Sequence, residues 1–92
     1  MNALLTSSAR YALEYLTSLP NRRVYPSPHA LARLCALGGD LPEFPADPLK
    51  VLDLLHDVGS PATVASAGGR YFGYVIGGSL PTALAANWLA SA

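Results

Sequence analysis

Apolar positions Leu5, Ala9, Ala12, Leu16 and Leu19 recur at alternating spacings of four and three, which draws one stripe down a helix. The spacing predicts a helix over 3–19, ended by Pro20-Asn21. Tyr11 and Tyr15 flank the stripe and are expected to pack against a partner surface rather than face water. Arg10 and Glu14 stand four apart, in the weaker base-first order for an ion pair. Arg22 to Pro28 then reads as an extended connector, because each proline disfavours helix in the residue before it.

Two further helices announce themselves by a cap residue followed by proline. Ser27-Pro28 opens a short helix through Ala36, with Leu31 and Leu34 as its expected buried face and Gly38-Gly39 as its end. Asp47-Pro48 opens another over 48–58, striped by Leu49, Leu52, Leu55 and Val58, with Lys50, Asp53 and Asp57 expected outward. Gly59 is expected to cap it and Ser60-Pro61 to turn the chain away. Residues 62–67 suit an extended run, and Gly68-Gly69 a turn. Residues 71–76 have β propensity without clean alternation, so a short strand or an extended loop is expected there. Pro81 starts a last helix over 81–92, striped by Leu84, Trp88 and Leu89 among small alanines. The fold class is therefore mainly α, with helices joined by Pro/Gly loops and one short extended segment.

Composition sharpens this picture in one place. Of 92 residues 51% are hydrophobic and only 13% charged, about half the usual ~25%. The charges balance to zero, which favours neither nucleic-acid nor acidic-surface binding. Yet no charged residue follows Arg70, so 71–92 is uncharged throughout and is expected to be covered by something else. A membrane span is an alternative for that stretch, but Gly77-Gly78, Ser79 and Pro81 would break it near the middle. The single Cys35 excludes an internal disulfide and suits a reducing compartment, hence a cytoplasmic expectation.

No catalytic constellation assembles from the spacing. His29 and His56 have no partners at metal-ligand spacing and read as helix-surface residues. Ser79 lacks the Gly-x-Ser-x-Gly context of a nucleophile elbow. The glycines of 73–78 lack a P-loop lysine and are misspaced for a dinucleotide fingerprint. Arg22-Arg23 reads as a solvated pair rather than a phosphate contact.

Taken together, the pieces resemble a family. Glu14-Tyr15-Leu16 through Leu19-Pro20-Asn21-Arg22-Arg23-Val24-Tyr25-Pro26, then Ser60 to Ser66, then Arg70-Tyr71-Phe72-Gly73-Tyr74-Val75-Ile76-Gly77-Gly78-Ser79-Leu80-Pro81 and Asn87-Trp88-Leu89 are similar to the opening of group II pyridoxal-phosphate-dependent amino acid decarboxylases, the aromatic amino acid and glutamate decarboxylase group. Residues 70–89 are the most specific part; Arg23 and Gly69 stand where the family commonly has proline. The resemblance implies an N-terminal segment of a larger α/β, fold type I enzyme: 1–26 a helix and connector, 27–69 short helices and loops, 70–92 a loop and helix. It implies pyridoxal phosphate bound elsewhere in the parent, an amino acid substrate, and a homodimer in which helix 3–19 packs on the neighbouring subunit. Lys50, the one lysine, does not match the Schiff-base motif, so no catalytic or cofactor-binding residue is expected here. Tyr71, Phe72, Tyr74, Gly77, Gly78 and Ser79 become substrate-pocket candidates, with ordinary packing as the alternative for the aromatics. The competing function is a non-catalytic helical interaction module that docks through its uncharged C-terminal region.

Overall fold

The computed structural model describes residues 1–92 as four helices joined by turns and loops, with no strand. Helix α1 spans Asn2–Ser18, α2 Pro28–Ala32, α3 Pro48–Leu54 and α4 Pro81–Ser91. The mainly helical expectation holds, and the proline-marked starts fall where local chemistry places them. Ser27 Oγ accepts from the Ala30 N–H and Asp47 from the Leu49 N–H, each capping a helix whose first residue is proline.

The helix ends differ from the sequence reading. After α2 the chain tightens into a 3-10 turn over Arg33–Leu37 before Gly39, at φ 122°, reverses it. After α3 the helical path does not stop at Gly59. It widens into a π turn over Leu55–Gly59 and passes through Ser60–Ala62 as a 3-10 turn, ending only at Thr63. Gly59 has right-handed helical angles and is no cap. A Cβ there would lie 3.2 Å from Leu55 Cδ1, so its small size relieves crowding against the preceding turn.

Burial is scarce. Only Ala30, Val58 and Ala65 are buried, and they mark where α2, the π turn and the 63–67 run converge. Leu31 and Leu34, expected inside, are exposed, and Ala30 fills that role on α2. Leu49 and Leu52 are half-buried while Leu55 is exposed. Ala65 is held by its N–H donating to the Val24 carbonyl at 2.8 Å, the one backbone bond tying this run to the connector.

The magnitudes show how open this arrangement is. Its accessible surface is 7217 Å² for 9.6 kDa. A folded monomer of that mass exposes about 5,100 Å² and its unfolded chain about 13,900 Å². The excess is therefore about 2,100 Å², and folding removes only about half of the unfolded chain's surface. The radius of gyration of 15.0 Å exceeds the roughly 12 Å of a compact chain this long. The extents of 42 × 34 × 21 Å describe a slab one helix layer or two thick.

Candidate functional site

Residues 71–80 form a projecting loop; the strand expected as one form of 71–76 is absent, and a turn interrupts the extended run expected as the other. A turn closes it where the Ile76 N–H donates to the Gly73 carbonyl at 3.3 Å. Tyr74 and Val75 both take left-handed angles, at φ 57° and 54°. For a β-branched valine this is strained backbone, of the kind that persists where surroundings over-determine it. Within the chain nothing packs on it: Phe72, Tyr74 and Val75 are 94%, 90% and 106% exposed.

The pocket candidates part company. Tyr71 turns inward, half-buried, its ring edge-on to Tyr25 at 6.4 Å, and its hydroxyl folds back over Gly73. A Cβ on Gly73 would meet that hydroxyl at 2.5 Å, so the glycine makes room for Tyr71. Phe72 and Tyr74 point away from the chain, Gly77 has open space around it, and Gly78 sits near the Ala67 carbonyl. Ser79 instead lines an apolar groove of about 360 Å³ with Leu13 and Leu16 of α1 and Pro81, Leu84 and Trp88 of α4. The six candidates therefore do not enclose one pocket in this chain. Tyr71 packs, Phe72 and Tyr74 are presented outward, and Ser79 belongs to a groove that can receive an apolar surface.

A second cluster, invisible to spacing, attaches α1 to α3 and the turns after it. The Tyr11 ring stacks on the His56 imidazole with centroids 3.8 Å apart and planes 8° from parallel. On Tyr11 the Arg10 guanidinium also lies, 4.4 Å from the ring centroid. The Tyr11 hydroxyl donates to the Asp53 carboxylate. That bond stabilises the neutral phenol and, with partial desolvation second, raises its pKa above the usual tyrosine value. His56 Nε2 lies 3.3 Å from Glu14 Oε2, and Nδ1 lies 3.4 Å from Ser60 Oγ. Glu14 also holds Arg10 at 3.0 Å, and Tyr15 shares a hydrogen bond with Thr63 at 3.0 Å.

These contacts bear on three expectations. Asp53 and Asp57 are exposed as expected, yet each is engaged, Asp53 by Tyr11 and Asp57 by Arg33 at 2.9 Å, and a third residue, His56, is a half-buried joint rather than a surface residue. The surface that Tyr11 and Tyr15 pack on belongs to this same chain. The Glu14–His56–Ser60 relay has the order of a nucleophilic triad, but the residue after the serine is Pro61. It lacks the N–H that would stabilise an oxyanion there, and the contacts join α1 to the turns after α3. No residue of α1 is buried, so this polar joint is its main attachment.

The residues present do not fit pyridoxal phosphate. Lys50 is exposed on α3, and its acidic neighbours are committed, Asp47 to the helix cap and Asp53 to Tyr11. The one half-buried imidazole, His56, already stacks on Tyr11 and is not free for a pyridine ring. No group of histidine, cysteine and carboxylate side chains is placed to hold a metal ion. No helix is long and apolar enough to cross a membrane. Compared with known proteins, the chain matches no family model, no curated protein and no solved structure.

Proposed function

We propose that this chain is the N-terminal portion of a pyridoxal-phosphate-dependent amino acid decarboxylase, a cytoplasmic carboxy-lyase, inert by itself and completed by the rest of the enzyme and a second subunit. One observation carries the reading: about 2,100 Å² more surface is exposed than a monomer of this mass shows. That is the area one partner contributes to an obligate interface of roughly 4,000 Å² in total. The segment with the most specific likeness to the decarboxylases, 70–89, is also where the strained, outward aromatic loop and the open groove lie. In this role Phe72 and Tyr74 present flat apolar walls toward a substrate bound by the remainder of the enzyme, and the cofactor and its lysine are supplied there.

The test is to read the encoding DNA past the codon for Ala92 and to express the product it specifies. A continuation of several hundred residues carrying a His-Lys pair, with release of carbon dioxide from an amino acid when pyridoxal phosphate is added, is the expected result. A stop codon directly after Ala92 overturns it. The uncharged groove between α1 and α4 favours a second reading in that event, a non-catalytic helical module that docks through its C-terminal region.

A further inference from the structure

The zero net charge does not mean that every charge is paired with a neighbour. Arg10 and Arg33 are paired with Glu14 and Asp57. Arg22, Arg23 and Arg70 have no carboxylate within ion-pair distance; the first two stand on the connector, and Arg70 Nη2 donates to the Arg22 backbone carbonyl. Asp40 and Glu43 likewise make no ion pair, and Asp47 caps α3. Beside the arginine connector opens a cavity of about 520 Å³, its polar wall made by Asn21, Arg22, Arg23 and Ser27, with no carboxylate in its lining.

Arg22 is the organised part of this wall. Its Nε donates to Ser18 Oγ at 3.0 Å and Nη1 to the Ser60 carbonyl at 2.6 Å, and the guanidinium lies 4.3 Å from the Tyr15 ring centroid. These contacts fix the fork while leaving Nη2 unclaimed. Glu14 and Asp57 line an adjoining cleft with Arg22 but lie beyond ion-pair distance, and a half-buried guanidinium with no direct ion pair gains from an anion at its free Nη2. Arg23 is exposed and makes no hydrogen bond within the chain, so it can close over a ligand, while the Asn21 amide and Ser27 hydroxyl add neutral donors.

We propose that this cavity binds a tetrahedral oxyanion, either inorganic phosphate or the phosphate of a small phosphomonoester, between the fixed fork of Arg22 and the exposed one of Arg23. Two guanidinium forks match the geometry of a phosphate, which a carboxyl-free wall does not repel. This goes beyond the decarboxylase reading and rests on different residues.

The test is phosphorus NMR titration of the 92-residue chain with inorganic phosphate and, separately, phenyl phosphate, at ionic strength held constant with chloride. Saturable binding with a Kd of about a millimolar or tighter is expected. R23Q should weaken it about tenfold, the loss of one charge-assisted pair, whereas K50Q should leave it unchanged. Phenyl phosphate binding alongside inorganic phosphate identifies a monoester site, and inorganic phosphate alone a free-ion site; both uphold the proposal. R22Q removes internal bonds as well, so the exposed Arg23 decides the matter if that variant unfolds. No saturation above the chloride background, or R23Q binding as the parent does, overturns the site and leaves the decarboxylase reading untouched.

Discussion

A single charge placed in the α1–α4 groove tests whether this surface is made to be covered. Ala85 is exposed and lines that groove beside Leu84 and Trp88. In a solitary chain Ala85→Glu changes only an exposed helical position, an effect within about 0.5 kcal/mol. If the groove is covered by an apolar surface, the same carboxylate is buried without a partner, at a cost of several kcal/mol. Association should therefore weaken at least about a hundredfold, which corresponds to about 2.7 kcal/mol. Without its natural partner the parent chain should self-associate through this face, because so much apolar surface stays in water. Sedimentation velocity over about a hundredfold dilution range measures this directly for parent and variant. Denaturant titration followed at Trp88 supplies the second readout. Folding hides about 6,700 Å² here, against about 8,800 Å² for a compact chain of this mass. The m-value of the unassociated chain should then be about three-quarters of the compact value, since m scales with surface exposed on unfolding. A monodisperse parent monomer that unfolds sharply with a full-sized m would refute the reasoning. Equal association of parent and Ala85→Glu would show that some other face is the one covered.

Further outcomes follow from the joint and from the lone lysine. Because the Asp53 bond raises the Tyr11 pKa, the docking of α1 it supports is complete below the ordinary tyrosine value near 10 and is lost as pH rises through the higher folded value. Ultraviolet titration of tyrosinate should show one late-ionising tyrosine that is missing from Tyr11→Phe; an identical curve for both proteins would remove the joint from the argument. Mixing the chain with pyridoxal phosphate and reducing with borohydride should give only slow, unselective amine labelling, and stoichiometric modification at Lys50 alone would contradict the account of that residue as an exposed helical amine.

Local chemistry was enough to place the helices. Ser27-Pro28, Asp47-Pro48 and Pro81 determine helix starts within a few residues, and the 3–19 stripe determines α1, because capping bonds and fixed proline φ act over one turn. The uncharged run after Arg70 was equally legible. What only the tertiary structure decided depends on residues far apart in the chain. Tyr11 meets Asp53 across 42 positions, and Arg70 meets Arg22 across 48. No periodicity encodes such pairs, so the half-burial of His56 and the partner of the exposed Asp53 came only with α3 laid beside α1. The expected burial of Leu31 and Leu34 failed for the same reason. A helical stripe shows which face is apolar, but burial needs an opposing surface, and in this chain Ala30, Val58 and Ala65 alone find one. Which arginines find a carboxylate is likewise a property of the packing, since the sequence sums the charges to zero and distance alone decides which of them neutralise one another.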